Sequence, residues 1–427
     1  MSGPSVEEIQ VEVHTRRSEI LEWAMELVRF PSENRPPDGA EGPAQEFVAR
    51  ACRELGLEVD EFTPLQVSGI EEHPAWLQGR NYPPQRRDVV GVWKGSGGGR
   101  SLLLSGHIDV APFEPDDWQI TRPFEPVVRE GRLYGRGAAD LKGGLAAAFM
   151  AVKLLRDIGF EPKGDLIFES VVDEEFAGGN GTLAARLRGY NADLAVLTEP
   201  TRMELCTASL GAFLGHLTLR GRAGMPYMGM PIPNPIIGGA RAVELFSRWQ
   251  EEWREANSHP LFMDPGKQLN VVLWNVSSAI PGAFVQLGVP SQTRIDWVVW
   301  CYPGMTEEEF YHRFNRYWRE AGEKDELLGL FFMEIERDYH HVRSWQTDGG
   351  SEAVQHAVRA YREVTGKNPS TGGAPFSCDM ALYGEHMPVI ILGPRGDNLH
   401  APDEWVEVED LYSLTAVFAR LAASWCG

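Results

Sequence analysis

The sequence predicts an α/β fold in which a mostly parallel, layered sheet carries a smaller inserted α+β domain. Chain length, the alternation of elements and a change of pattern mid-chain lead there. At 427 residues the chain exceeds what one ordinary core holds, so two domains are expected. Up to about residue 207, short apolar runs alternate with helical patterns, the order that yields a parallel sheet. From Ala208 the order becomes strand, helix, strand, strand, helix, and the first pattern returns after Asp338. The domains are placed at 1–207, 208–325 and 326–427, the outer two forming one body.

The elements follow in order. Val11 to Leu57 reads as two helices around a Ser-Glu-Asn-Arg-Pro-Pro loop, and Leu65 to Arg87 as an irregular stretch rich in Pro, Arg and aromatic residues. Asp88–Lys94 and Ser101–Ser105 are short apolar runs, hence buried strands. Gly143–Ile158 is an apolar helix, and Asp165–Val172 and Asp193–Thr198 are further strands. In the middle region GAFLGHLTLRG alternates like a half-exposed strand, and Gly238–Asn257 is a charged amphipathic helix. Leu269–Val276 and Thr293–Cys301 read as strands and Thr306–Glu320 as a helix. Helix Ser351–Thr365, strand Pro388–Leu392 and helix Val408–Ala423 complete the chain.

Composition excludes several classes. Apolar content of 43% and charged content of 24% are ordinary for a soluble protein. A formal charge of −21 argues against nucleic-acid and anionic-membrane partners. Five scattered cysteines without CxxC spacing suit a reducing compartment. The polar, acidic N-terminus lacks the apolar core of a signal peptide, and no apolar run is long enough to span a membrane. A cytoplasmic protein acting on a small molecule is expected.

Four segments share one design. SLLLSGHIDV runs into His107 and Asp109; LIFESVVDEE ends in Asp173, Glu174 and Glu175; DLAVLTEP ends in Glu199; PVIILGPRGDNLH leads to His400. Asp140, in GRGAADLKGG, precedes the Gly143 helix. In open α/β sheets, ligands bind beyond the carboxyl ends of the strands, where these loops converge. Imidazole with carboxylate suits Zn²⁺, Mn²⁺ or Co²⁺. His107 and Asp109 are two apart, so on an extended chain both point the same way and Asp109 can orient the imidazole. Of the vicinal Glu174 and Glu175, one can bind metal while the other holds a water and acts as general base. Taken singly, Asp140 also suits a helix N-cap, Glu199 a turn and His400 an ordinary loop.

SGHIDV, GRGAADLKGG, VVDEEFAGGNGT, LTEPT and NLHAPDE, in this order, resemble the dinuclear metallohydrolase family of aminoacylases, acetylornithine deacetylases, succinyl-diaminopimelate desuccinylases and glutamate carboxypeptidases. The resemblance covers nearly the whole chain. It implies a catalytic domain with a smaller lid that also mediates dimerisation, hence a homodimer or higher symmetric homo-oligomer. It implies one or two divalent metal ions per subunit: His107 and Glu199 on one, Glu175 and His400 on the other, Asp140 bridging. Glu174 is implied as general base and Asp109 as orienter of His107.

The departures from the family lie mostly in the lid. Relatives carry a lid histidine that steadies the developing oxyanion; counting back from Asn234, Met225 stands at its position, in GRAGMPYMGMPIPNP. A thioether donates no hydrogen bond, and losing one oxyanion donor costs on the order of 100- to 1000-fold in rate. Trp300 replaces a common arginine, and Met380 replaces another after Asp379 in FSCDMALY. Met225, Tyr227, Asn234, Trp300, Ser377 and Asp379 are therefore the candidate substrate-binding residues. Met225, Met228 and Met230 equally suit plain packing of the lid.

The expectation is a metal-dependent hydrolase of a C–N bond that is not a standard peptidase. Hydrolytic deamination of an electron-poor aromatic amine, as in the family's 5-nitroanthranilate offshoot, suits a Met- and Trp-lined lid. The alternative is an N-acyl amino acid deacylase or carboxypeptidase-type amidohydrolase with another oxyanion donor. A non-catalytic metal-binding or scaffold protein is the reading from another class, and the retained Glu174 argues against it.

Overall fold

The computed structural model describes residues 3–113, 117–175, 179–225, 231–278, 288–338 and 342–427. The chain divides into two compact units. The first is Met1–Ala208 with Gln346–Ala374 and Cys378–Gly427; the second is Ser209–Trp345 with Pro375–Ser377.

In the first unit, helix α1 (Val6–Thr15) opens on a capping box: the Ser5 hydroxyl accepts from the Glu8 N–H, and Glu8 accepts from the Ser5 N–H. The chain breaks at Arg16 and continues as α2 (Arg17–Arg29), so two helices stand before the SENRPP loop rather than one. The break lets Ile9 and Val13 on one helix and Ile20, Ala24 and Leu27 on the next all reach the core. Helix α3 (Gly42–Glu54) follows the loop and packs on strands β1 (Glu58–Phe62) and β2 (Asp88–Trp93).

The sheet is completed by β3 (Leu102–His107), β4 (Leu166–Val171), β5 (Leu194–Leu197) and a late strand, β10 (Val389–Ile391). Its order is β10-β5-β3-β4-β2-β1, parallel from β10 through β4 and antiparallel from there to β1. β2 to β5 and β10 are buried at every residue, which is why they read as continuous apolar runs. Helix α4 (Gly143–Asp157) packs on β3 and β4 and against the last helix, α8 (Val408–Trp425). Gly144 permits that approach, because a Cβ there would sit 2.3 Å from the Thr198 main-chain oxygen. Register pairs His107 with Val171 and Ser105 with Leu197, so the carboxyl ends of β3, β4 and β5 lie level. A small separate sheet joins Val127–Arg129, Arg132–Tyr134, Gly396–Asp397 and Trp405–Glu407.

In the second unit the long strand β6 (Leu205–Arg220), which belongs to this unit from Ser209 onward, pairs antiparallel with β8 (Gln292–Cys301) and β9 (Phe332–Arg337), and β8 pairs with β7 (Val271–Ser277). Helices α6 (Pro235–Ala256) and α7 (Glu307–Lys324) join an aromatic core, with Trp249–Phe314 ring centroids 5.0 Å apart and Trp297–Phe314 4.8 Å apart. Strand β9 has no counterpart in the sequence reading. It is a half-exposed edge strand, FMEIER, whose charges mask the alternation. Among the described residues, no helix is long and apolar enough to cross a membrane.

Candidate metal centre

Loops at the level ends of the parallel strands gather acids and histidines. His107 closes β3, and its ring Nδ1 meets the main-chain oxygen of Asp109 at 2.9 Å. That contact fixes the ring and turns Nε2 inward, 3.3 Å from Asp140 Oδ1, 3.6 Å from Glu199 Oε1 and 3.9 Å from Glu174 Oε2. His400 Nε2 lies 2.8 Å from Glu175 Oε2 and 3.1 Å from Asp140 Oδ2. Asp140 thus stands between two imidazoles with one oxygen toward each. His107 and Glu199 are buried, Asp140, Glu174 and Glu175 half-buried, and His400 sits at the exposed rim.

Asp109 acts differently from its sequence assignment. Its main-chain oxygen, not its carboxylate, makes the orienting contact to His107, and Oδ1 stays 3.7 Å from the ring. Oδ2 instead accepts from the N–H groups of Glu174 and Glu175, each at 3.0 Å. The turn after β4 presents both N–H groups to the buried Asp109 carboxylate, which satisfies them.

The loop carrying Asp140 has its own anchor, Glu404. Its Oε1 accepts from the N–H groups of Ala139 (2.9 Å) and Asp140 (3.1 Å). Its Oε2 accepts from Gly137 N–H and Arg136 Nη1, both at 2.9 Å. The motif NLHAPDE contains Glu404, but nothing local in the sequence links it to a loop some 260 residues earlier.

Electrostatics mark the cluster as a place for added positive charge. Burial, with the neighbouring carboxylates, pushes Glu174 and Glu199 well above the ordinary carboxylate range, and Glu175 upward too. Burial opposes a charged His107, yet Glu199, Asp140 and Asp109 outweigh it and raise the imidazole well above the usual range. Glu175 likewise raises His400. Asp140 moves the other way: burial disfavours its charge, but both imidazoles hold it below the carboxylate range. One ligand atom each from His107, Glu174 and Glu199, or from His107, Asp140 and Glu175, lie within 4.8 Å of one another. Imidazole nitrogens and carboxylate oxygens so disposed fit a divalent cation.

Asp379 also belongs to the first unit. It accepts from the Thr182 hydroxyl, and burial pushes it up to about 6. A cavity of about 270 Å³ opens beside His400, walled by Pro112, Phe113, Asp117, Trp118, Arg136 and Pro402. The remaining sequence candidates lie in the second unit. Ser377 ends a strand; Met225 is 56% exposed next to the Gly224–Val289 bridge. Asn234 caps α6, accepting from Ile236 N–H at 3.0 Å, and Trp300 lies on β8 opposite Ala212. Tyr227, like Met228 and Met230, falls outside the described residues.

Residues 103–424 match the sequence pattern of Peptidase family M20/M25/M40. The chain belongs to this family. It is similar to the N-formyl-4-amino-5-aminomethyl-2-methylpyrimidine deformylase of Halalkalibacterium halodurans, 27% identical across 99% of this chain and 97% of that protein. The same-named enzyme of Bacillus subtilis is 26% identical across 98% of this chain and 97% of that protein. Among solved structures, the dipeptidase Dug1p from Saccharomyces cerevisiae superposes with a TM-score of 0.78. It is 14% identical, with 99% of this chain and 98% of that chain covered, a likeness of fold. As an M20 member with a candidate metal-ligand cluster, the chain is a metallohydrolase.

Proposed function

We propose that this enzyme hydrolyses a C–N bond on a substrate built around a flat ring. The best-supported reaction removes a small N-acyl group, such as formyl, from an amine carried by that ring. The observation that carries the reading is the cavity beside His400, whose Phe113 and Trp118 walls suit a ring face. At about 270 Å³ it falls just below the range of about 300–1,000 Å³ usual for drug-sized ligands, so it suits one ring. The full-length likeness to two deformylases of an aminomethylpyrimidine supports the same choice.

His107, Asp140, Glu175, Glu199 and His400 would hold one or two divalent ions, manganese, zinc or cobalt. Such ions, when bound, polarise a carbonyl and lower the pKa of water. Glu174, with its carboxyl raised by burial, accepts a proton from the attacking water. The water oxygen bonds to the acyl carbon, the C–N bond breaks, and Glu174 returns the proton to the leaving nitrogen. The amine takes up the proton left on the acid, so ammonium and carboxylate are the products, formate where the group is formyl. A formyl carbon is uncrowded and electrophilic, so it tolerates Met225 in place of an oxyanion donor. That substitution also favours a second reading, in which water adds to a ring carbon of an electron-poor arylamine such as 5-nitroanthranilate and ammonia leaves.

The second unit serves as lid and dimerisation domain. Edge strand β7 exposes Val272, Trp274 and Val276, a surface suited to a second copy of the chain. Five buried cysteines, none of them in a disulfide among the described residues, suit a reducing, cytoplasmic setting.

A substrate panel tests the reading: N-formyl-4-amino-5-aminomethyl-2-methylpyrimidine, N-formyl and N-acetyl amino acids, dipeptides and 5-nitroanthranilate, each with Mn²⁺, Zn²⁺ and Co²⁺. Preference for the formylated pyrimidine supports the first reading and turnover of 5-nitroanthranilate alone the second. Preference for N-acetyl amino acids or dipeptides sinks both.

A further inference from the structure

We propose that Asn34, backed by Arg86 and Tyr82, is a positioning residue that sets where Glu174 and Glu175 stand; this rests on the roles given to those two acids above. After β4 the chain turns at Asp173, which adopts φ 67°. A non-glycine residue is disfavoured in the left-handed region, so the turn needs holding. The fully buried Asp173 carboxylate is gripped from three sides. Oδ1 accepts from Arg86 Nη2 at 2.8 Å and Asn34 Nδ2 at 3.0 Å, and Oδ2 accepts from the Tyr82 hydroxyl. Arg80 adds its charge at 3.8 Å.

The same Asn34 nitrogen donates to Asp109 Oδ2 at 2.9 Å, the oxygen that receives the N–H groups of Glu174 and Glu175. One amide therefore ties the end of β3, which carries His107, to the turn after β4, which carries both acids. Its oxygen accepts from Arg86 Nη2 at 3.2 Å, so donor and acceptor sides are both used. Arg86 is itself fixed: Nε contacts both Glu41 oxygens at 2.9 and 3.1 Å, and Nη1 reaches the main-chain oxygen of Asn81 at 3.1 Å. Tyr82 is held by Asn180 Nδ2 at 2.7 Å, at the start of helix α5 (Asn180–Leu187).

The loop is stitched so that the amide arrives already aimed. Asn34 N–H donates to the Val110 oxygen, and Val110 N–H to the Ser32 oxygen, each at 3.0 Å. The chemistry is specific to an amide. A carboxylate at this position would meet two buried carboxylates, and an apolar side chain would leave both without this donor. Asn34 sits behind Glu174, one shell away from the reacting groups, so its loss shows in kcat and not in KM.

The test uses the full chain with Asn34→Ala and Tyr82→Phe, assayed with Co²⁺ on whichever panel substrate the wild type turns over. Amide hydrogen exchange at Glu174 and Glu175 is read in parallel on metal-free protein. Asn34→Ala should lower kcat about 10- to 100-fold and leave KM within about twofold. Exchange at the two amides should rise about tenfold while α4 stays as protected as before. Tyr82→Phe should act in the same direction and more weakly. The proposal is overturned if both variants keep wild-type kcat and exchange, or if the loss of kcat merely tracks loss of bound metal. Should Asn34→Ala fail to fold, Tyr82→Phe decides: slower turnover with faster local exchange supports the proposal, and wild-type values overturn it. Should the wild type turn over nothing in the panel, the functional reading fails, and the exchange measurement still decides the positioning role.

Discussion

Replacing Glu174 by Gln keeps the side chain's shape and removes its capacity to accept a proton. The carboxylate lies 3.9 Å from His107 Nε2, against 3.3 Å for Asp140 and 3.6 Å for Glu199. The residue is held through its main-chain N–H to Asp109, a contact the substitution leaves in place. General acid–base catalysis contributes about 10²–10⁴ in rate, which is about 2.7–5.4 kcal/mol of barrier at about 1.36 kcal/mol per decade. Steady-state kinetics on the best panel substrate, with metal content measured on the same sample, should show kcat lower by that factor at unchanged metal occupancy. A fall of less than tenfold would refute the base assignment. A fall matched by lost metal would make Glu174 a ligand instead.

Glu404→Ala should destabilise the metal-free protein by about 3–5 kcal/mol in urea, because it strands the buried Arg136 and the N–H groups that position Asp140; a change below about 1 kcal/mol would contradict the anchor role. Metal uptake should release protons. The metal-free carboxylates hold His107 and His400 protonated above the usual histidine range, and a ligand imidazole must be neutral. Affinity should therefore rise with pH near neutrality, about tenfold per unit for each proton released; calorimetry in two buffers of different ionisation heat checks this, and no proton release contradicts it. Met225→His restores a donor at the lid position, so it should raise kcat/KM on N-acetyl amino acids by about tenfold or more and lower any turnover of 5-nitroanthranilate. No change on either substrate would remove Met225 from the account.

The strand ends were readable because β3, β4, β5 and β10 are buried on both faces and so appear as unbroken apolar runs; the first three stop at or within two residues of a histidine or an acid, and β10 leads through a Gly-containing loop to His400. The break at Arg16 was hidden because helical periodicity continues on both sides of it. The small sheet around Val127–Arg129 and Arg132–Tyr134 was hidden too, its strands being only two or three residues long. Around the candidate site, side chains that meet the cluster directly carried a local signal. Those that support it did not: Asn34 reaches Asp173 across 139 positions and Arg86 reaches it across 87. The role of Asp109 also turned on a detail no spacing rule contains, namely which of its oxygens faces His107.

We propose that this chain breaks a C–N bond with metal held in the His107–Asp140–His400 cluster. The most direct measurement is formate release from N-formyl-4-amino-5-aminomethyl-2-methylpyrimidine by protein stripped of metal and then titrated with Mn²⁺, Zn²⁺ or Co²⁺. The stripped protein should show no turnover, and activity should rise to saturation at one or two ions per chain and be abolished by His107→Ala. Equal activity before and after metal is added, or full activity in His107→Ala, would contradict it.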